Sequence, residues 1–162
     1  MLKILRPRSY EKPQDKVQVR REVENHGKVN HKNVLRMLGH SFNGIMHMKG
    51  VADGDNTYTY LVTEYLGRNF VNFFDLIEAS GGAGFGEDAG RLFLGQMLDG
   101  LEYLHEEAGV VHRDLKLENI LIDGQLTFKL IDLGLSAAGD LLRVTGAVGS
   151  PSYVAPEVLT DY

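Results

Sequence analysis

The chain has 162 residues and a mass of 18.0 kDa, which is room for about one domain. Apolar residues make up 43% and charged residues 24%, a composition that excludes a disordered chain and indicates a globular one. The formal charge of −5 argues against a general nucleic-acid binder, because such proteins usually carry an excess of Lys and Arg. We expect no membrane span and no signal peptide, since no apolar run approaches about 20 residues and the first residues soon become polar.

The chain contains no cysteine, which excludes disulfides, thiolate zinc sites and thiol catalysis. This composition fits a reducing compartment. We therefore expect a cytoplasmic location, with the nucleus as the alternative.

The first half of the chain predicts strands around one helix. Residues 1–5 predict a short strand, and apolar residues at near-helical spacing over 17–29 predict a helix. The β-rich runs 34–38 and 58–65 predict further strands. Between them, the glycine-containing segment 42–56 has no sustained periodicity and predicts a long surface loop.

The second half predicts helices followed by a hairpin. Apolar residues at i, i+3, i+4 and i+7 over 70–77 predict one helix, and a longer stripe predicts a second over 87–107. Apolar runs on either side of an Asp-Gly pair predict a hairpin over 120–131, and residues 132–162 predict a loop. Segregated elements of this kind favour an α+β fold with two small lobes, connected through residues 64–72.

Polar residues on either side of the predicted hairpin carry the strongest chemical signal. Asp114 and Asn119 precede its first strand, and Asp132 follows its second strand. Because a tight hairpin returns the chain to its starting end, we expect these three side chains to converge. Two carboxylates and a carboxamide oxygen suit Mg²⁺, and Lys116 adds a cation beside them. Such a set serves phosphoryl transfer, in which positioning and charge stabilisation do most of the work.

Residues 112–119 (HRDLKLEN), followed by Asp132-Leu-Gly, resemble the catalytic loop and metal-binding turn of the eukaryotic protein kinases. Residues 149–154 (GSPSYV) lead into 155–157 (APE), which resembles the end of the activation segment in that family. The lysine at position 116 resembles the residue that Ser/Thr kinases carry in this motif. The chain as a whole resembles the calmodulin-dependent and AMP-activated groups. Two departures are Leu133, where Phe is usual, and His26, where the helix usually carries an apolar residue.

The resemblance implies a protein-kinase-like two-lobe fold. The Gly-rich loop that precedes the lysine strand in relatives and the helices that follow Ala-Pro-Glu are missing from this sequence. We therefore expect an incomplete kinase domain, from a truncated gene model or a fragment. It would comprise a partial β-rich N-lobe with the hinge over 1–66 and a partial helical C-lobe over 67–162.

The resemblance also implies an ATP site. Lys3 is similar to the strand lysine that contacts the α and β phosphates, Glu22 is similar to its partner on the helix, and Asp132 would complete the phosphate side. The alternative for Lys3 is an ordinary exposed lysine. Residues 60–66 resemble the strand that enters the hinge, so the adenine would be met by the gatekeeper and by hinge and pocket residues: Thr63, Glu64, Leu66 and Leu121.

Catalytic roles follow from the same resemblance. Asp114 would orient the substrate hydroxyl and accept its proton, with Ser150 in contact with it. Lys116 would steady the transferring phosphoryl group, while Asn119 and Asp132 would hold Mg²⁺.

Regulation is implied by Arg113, which would pair with a phosphate in the activation segment. Thr145 is the candidate acceptor for an upstream activating kinase, although relatives more often carry the acceptor at the place of Gly146.

The function implied is an ATP-dependent protein serine/threonine kinase that uses ATP and Mg²⁺ and acts on a protein with a Ser/Thr acceptor. The alternative is an inactive kinase-fold fragment or a pseudokinase-like binding module. A third interpretation, a small-molecule phosphotransferase, explains the Asp and Asn residues but predicts neither Arg-Asp-Leu-Lys nor Ala-Pro-Glu.

Overall fold

A computed structural model describes residues 1–5, 13–45, 57–139 and 148–159. The first part of the chain forms a three-stranded antiparallel sheet in the order β1-β3-β2, with one helix between its first two strands in sequence. In the register, Lys3 lies opposite Leu61. The elements are β1 (Leu2–Leu5), α1 (Pro13–Gly27), β2 (Met37–Ile45) and β3 (Thr57–Thr63).

The second part is mainly helical, with two small sheets in the orders β4-β6-β7 and β5-β8. A π-helical turn over Tyr103–Glu107 continues α3, and 3₁₀ turns lie at Leu117–Asn119 and Leu133–Leu135. The elements are β4 (Val71–Asn72), α2 (Phe73–Ala79), α3 (Glu87–Glu102), β5 (Val110–Val111), β6 (Ile120–Ile122), β7 (Phe128–Leu130), β8 (Ala137–Ala138) and α4 (Pro156–Leu159).

The buried core is built around the β6–β7 hairpin, whose strand residues are all buried. Packing of α3 and the π-helical turn against this hairpin offsets the cost of about 1 kcal/mol that each glycine inside α3 imposes relative to alanine. Gly100 allows close packing of α3, because a Cβ there would lie 3.1 Å from the carbonyl oxygen of Asn33, a contact tight enough to require a shift. The core residues are Val29, Val34, Leu104, Val110, Ile120, Ile122, Phe128, Leu130 and Leu133.

A backbone bridge joins the two parts. Val34 pairs in parallel with Leu130, outside the named strands. The amide of Leu35 donates to the carbonyl of Leu130 at 2.9 Å, and the amide of Leu130 donates to the carbonyl of Asn33 at 2.8 Å. This bridge fixes the hairpin, and the loops at its ends, against the segment that follows α1.

The predicted α+β organisation is confirmed, but one predicted loop is partly wrong. Strand β2 continues to Ile45, so residues 42–45 are not loop, and residues 46–56 lie outside the described ranges. The strand has irregular pairing between Ser41 and Gly44, and a Cβ on Gly44 would collide with the ring of Tyr60 on β3. The glycine therefore permits close strand pairing here rather than marking a loop.

Helix boundaries and the end of the chain also differ from prediction. Helix α2 begins at Phe73 and not at residue 70, because Val71 and Asn72 pair with β6 and the Asn72 side chain caps the helix. Residues 133–139 and 148–159 are not one loop, since they contain a 3₁₀ turn, β8 and α4. Within the described ranges, we find no helix with the length and hydropathy needed to cross a membrane.

Candidate active site

Lys3 bridges two carboxylates that come from distant parts of the chain. Its Nζ atom lies 2.6 Å from Oε1 of Glu22 on α1 and 3.1 Å from Oδ1 of Asp132 after β7. Burial acts to lower the pKa of Lys3, but the charges and hydrogen bonds of Glu22 and Asp132 outweigh it, so the pKa is raised. Lys3 is therefore held as a cation between two acids and is not an ordinary surface lysine.

The turn after β7 holds Asp132 in an unusual backbone conformation. Its φ is +61°, a left-handed value that costs most non-glycine residues about 1–2 kcal/mol but that Asp adopts more readily. The amide of Gly134 donates to Oδ1 of Asp132 at 3.3 Å. A Cβ on Gly134 would lie 3.0 Å from that oxygen and 3.5 Å from Oε2 of Glu22, so glycine allows α1 to approach this turn closely.

Asp114 lies at the centre of a second polar cluster. Asn119 donates through Nδ2 to the Asp114 carbonyl at 2.8 Å and to its Oδ2 at 3.0 Å. Lys116 Nζ lies 2.9 Å from Oδ2, and the amide and hydroxyl of Ser150 donate to Oδ1 at 3.0 and 2.7 Å. Burial acts to raise the pKa of Asp114, but hydrogen bonds from Lys116, Ser150 and Asn119 outweigh it and lower the pKa. The carboxylate is thus ionised at neutral pH.

His112 and Arg113, which directly precede Asp114, anchor its loop to the turn that contains Asp132. Buried His112 contacts the Ile131 carbonyl through Nε2 at 2.9 Å, and burial lowers its pKa, so the ring is neutral. Arg113, with φ of +66°, donates from Nε to the carbonyl of Leu135 at 2.7 Å. Burial, and then the charge of Arg21 on α1, lower the pKa of Arg113. The loop, the turn and α1 therefore meet at one place.

Of the three residues expected to converge, the structure brings Asp114 and Asn119 into direct contact and places Asp132 in the adjoining turn, where its side chain contacts Lys3. Asp114 and Asn119 are bonded directly. The amide of Ile131, the neighbour of Asp132, donates to the Asn119 carbonyl at 3.0 Å. The Asp132 charge also acts on Lys116, whose pKa is raised mainly by its hydrogen bond to Asp114.

The oxygen atoms at this place fit a hard divalent cation. Both hydrogen bonds of the Asn119 amide nitrogen go to Asp114, which leaves its Oδ1 as an acceptor for another ligand. Oδ2 of Asp132 accepts no hydrogen bond from the described residues, and the side chain is 47% exposed. The accessible carboxylate of Asp132 and the carboxamide oxygen of buried Asn119 are ligands of the kind that Mg²⁺ binds, since this ion uses few protein ligands.

Three of the residues predicted for the adenine side lie at the end of β3 and along the connection that follows it, and the fourth lies on β6. Thr63 is buried at the end of β3, and its hydroxyl donates weakly to the carbonyls of Met1 at 3.5 Å and Glu64 at 3.4 Å. Leu66 is half-buried, and Leu121 is buried on β6. Lys3 pairs with Leu61, two residues before Thr63 on β3, so Lys3 and Thr63 are close in the same sheet.

Thr145, the predicted phosphate acceptor, lies outside the described residues. The side chain of Asn72 makes structural contacts. Its Oδ1 accepts the Phe74 amide and so caps α2, and its Nδ2 donates to the Glu118 carbonyl at 2.7 Å.

Two buried contacts near these clusters are not predicted from the sequence. Lys129 on β7 pairs with Glu64 at 2.8 Å, and Asn25 on α1 donates to the Ser136 hydroxyl at 3.0 Å. The available signals were a lysine inside an apolar strand and an asparagine one turn after Glu22 on an inward helix face.

The comparisons with known proteins agree with this geometry. A family model described as the protein kinase domain matches residues 1–162. The Aurora kinase of Encephalitozoon cuniculi (strain GB-M1) is 35% identical over 144 residues, which is 89% of this chain and 47% of that protein.

Two plant proteins are similar to the same extent. CBL-interacting protein kinase 3 of Oryza sativa subsp. japonica is 34% identical over 164 residues, 99% of this chain and 33% of that protein. CBL-interacting serine/threonine-protein kinase 17 of Arabidopsis thaliana is 36% identical over 148 residues, 89% of this chain and 30% of that protein. The chain spans less than half the length of these relatives. Because the family model matches every residue, the chain belongs to the protein kinase domain family.

Proposed function

We propose that this chain carries the site of an ATP-dependent protein serine/threonine kinase, which transfers the γ-phosphoryl group of ATP to a Ser or Thr hydroxyl of a protein. The observation that carries the proposal is Lys3 between Glu22 and Asp132, at 2.6 and 3.1 Å. The Lys3 ammonium suits the phosphates of an anionic ligand, and the half-exposed carboxylate of Asp132 suits the cation bound to them. The relatives named as serine/threonine kinases support the same reaction.

The phosphate side of ATP would be bound by Lys3, which Glu22 orients. Asn119 and Asp132 would hold Mg²⁺, which supplies neutralisation of the phosphate charges when bound. The backbone of Glu64 and Leu66 would meet the adenine edge, with Thr63 and Leu121 lining the adenine pocket.

Asp114 would act on the acceptor hydroxyl. Its carboxylate is ionised and oriented by Asn119 and Ser150. Because each of its oxygens already has two partners, a substrate hydroxyl would replace one of the contacts of Ser150 or Lys116 before its proton passes to Asp114. Since its pKa is lowered, orientation of the hydroxyl is its main contribution, and proton acceptance follows as the phosphoryl group leaves ATP. Lys116, bonded to both Asp114 and Ser150, would stabilise the charge on the transferring group.

A phosphate on the activation segment would be bound by Arg113, with Thr145 as the acceptor and an upstream kinase as its source. What supports this is that the charge of Arg21 on α1 acts on Arg113 and lowers its pKa, after the effect of burial. Positive charges that repel each other favour a doubly charged phosphate.

The decisive experiment measures phosphoryl transfer from radiolabelled ATP to a Ser/Thr-rich protein mixture, with Mg²⁺ or with EDTA, alongside equilibrium binding of ADP. Transfer that requires Mg²⁺ and is lost in Asp114→Asn is expected. Binding of ADP with Mg²⁺ but no transfer would establish the alternative, a non-catalytic nucleotide-binding module. Absence of both binding and transfer would overturn the proposed function.

A further inference from the structure

Asn25 is a polar residue buried on the inward face of α1, one helical turn after Glu22. It is 4% exposed, and its Nδ2 donates to Oγ of Ser136 at 3.0 Å across 111 residues of sequence. Ser136 is also 4% exposed, and its hydroxyl donates to the carbonyl of Leu133 at 2.6 Å. The hydroxyl therefore both donates and accepts, and the hydrogen bond from Asn25 completes its pairing.

Two neighbours of Asn25 on α1 meet the same turn. Nε2 of Gln18 donates to the carbonyl of Gly134 at 3.2 Å, and Oε2 of Glu22 lies close enough to Gly134 to contact a Cβ there at 3.5 Å. Gln18, Glu22 and Asn25 follow the helical spacing i, i+4, i+7, so they lie on one face. That face runs along residues 132–136, the turn that begins with the metal-ligand candidate Asp132.

The Asn25–Ser136 bond differs from apolar packing because it is directional. An apolar side chain at position 25 fills the space but leaves the Ser136 hydroxyl without its donor in a dry environment. The bond thus adds a directional constraint on the rotation of α1 about its axis and on its depth against the turn. Rotation of α1 moves Glu22, and displacement of the turn moves Asp132, the two acids that Lys3 bridges.

We propose that Asn25 is a positioning residue, whose hydrogen bond to Ser136 holds Glu22 and Asp132 at the separation that Lys3 spans. The role rests on the proposed function, since it matters only where the phosphates and the cation are bound. Asn25 contacts neither nucleotide nor substrate in this role and acts only through α1 and the turn.

The test compares wild type with Asn25→Leu, Ser136→Ala and the double variant, all in the full chain. We expect each single variant to lower kcat/KM for ATP about tenfold, and the double variant to be no worse than the poorer single variant, because both remove one interaction. The ratio of ADP affinities measured with Mg²⁺ and with EDTA should fall at least about threefold, since Asp132 is no longer held in place. Without nucleotide, amides of residues 132–139 should exchange hydrogen faster.

The matched control is Asn33→Leu, which removes another buried asparagine. Asn33 is 1% exposed and donates to the Phe128 carbonyl on β7 at 2.9 Å and to Gln96 Oε1 on α3 at 3.0 Å, so its side chain holds neither α1 nor the turn at 132–136. It should lower the melting temperature as much as Asn25→Leu while leaving the Mg²⁺ ratio for ADP unchanged. Ser136→Ala removes only one oxygen, so it tests the role even if Asn25→Leu fails to fold.

The outcomes separate the two proposals. If wild type binds ADP in a Mg²⁺-dependent way, and Ser136→Ala changes neither that ratio nor kcat/KM, the positioning role is wrong and the proposed function stands. If wild type binds no nucleotide, the proposed function fails and takes this role with it. Strictly additive effects in the double variant would also contradict the role.

Discussion

The ammonium group of Lys129 lies 2.8 Å from Oε1 of Glu64 and joins β7 to the segment that follows β3. The same oxygen accepts the backbone amide of Arg36 at 2.8 Å. The two side chains are only 10% and 28% exposed. Glu64 is therefore held through its side chain and through its amide, which donates to the Arg36 carbonyl at 2.9 Å. Its carbonyl, with only long contacts of 3.4 Å from Met1 and Thr63, is the backbone group proposed to meet the adenine.

Replacing Lys129 with Met should destabilise the chain, because it leaves the Glu64 carboxylate partly buried without its cation. We expect a loss of about 2 kcal/mol in the free energy of unfolding, less than for a fully buried pair, measured by urea denaturation. The control is Lys32→Met, whose pair with Asp99 at 3.2 Å is more than half exposed on both sides and should cost about 0–1 kcal/mol. If the two variants lost equal free energy of unfolding, burial would not be what strengthens the Lys129–Glu64 ion pair.

Replacing Lys3 with Met should mainly impair nucleotide use. The variant removes the cation between Glu22 and Asp132 and leaves two acids facing the phosphates, so kcat/KM for ATP should fall by about 10²-fold or more. Steady-state kinetics at several ATP concentrations would measure this. Lys16→Met, on an exposed position of α1, is the control and should behave as wild type. A retained kcat/KM in Lys3→Met would remove Lys3 from the site.

Replacing Asp114 with Asn should separate catalysis from binding. The amide keeps the size of the side chain but cannot accept a proton, so kcat should fall about 10²-fold or more while ADP affinity stays near the wild-type value. Asp75→Asn, in the exposed first turn of α2, is the control for the loss of one negative charge. Unchanged turnover in Asp114→Asn would refute its role.

Stability should fall as the solution is made mildly acidic, and His26 should carry part of this effect. The ring is buried, its Nε2 contacts the Leu35 carbonyl at 2.6 Å, and its Nδ1 has no partner in the described part of the chain. Burial lowers the pKa of His26 below 6.5, so the unfolded chain binds the proton more readily than the folded chain. The free energy of unfolding therefore decreases as the pH drops below about 6.5, by about 1.4 kcal/mol for each unit by which folding lowers the pKa.

Urea denaturation at pH 7.5 and 5.5 measures this dependence. We expect a smaller difference between the two pH values in His26→Leu than in wild type. The remaining difference should come from His112 and His31, whose pKa values are also lowered by burial. Asp114 does not contribute in this range, since its pKa is lowered below 3.8 and its effect is lost only at lower pH. An identical pH dependence in His26→Leu would contradict the assignment.

The parts of the site that could be predicted from the sequence are local or carried by a recognisable motif. Asp114 and Asn119 lie within one loop, and the hairpin that brings Asp132 back to them is short and marked by its turn residues. Asp123 stabilises that turn by accepting the amides of Gln125 and Thr127 at 2.8 and 2.9 Å. Short-range chemistry of this kind is encoded in neighbouring residues.

The contacts that could not be predicted depend on distant partners. Lys129 and Glu64 are 65 residues apart, and Asn25 and Ser136 are 111 residues apart, with no motif that links them. The extension of β2 beyond Ser41 could not be predicted for the same reason, because pairing with β3 overrides the local preference of a glycine-containing segment. Tertiary pairing therefore decides what local periodicity leaves open.

The backbone bridge between Val34 and Leu130 also constrains how the molecule can move. Two residues after α1, Asn33 and Leu35, are hydrogen-bonded through the main chain to Leu130 of the hairpin, and side-chain changes do not remove these bonds. Movements of the sheet relative to the helical part that leave these two hydrogen bonds intact keep residues 33–35 fixed against Leu130. Larger displacements are therefore expected only at a distance from this bridge.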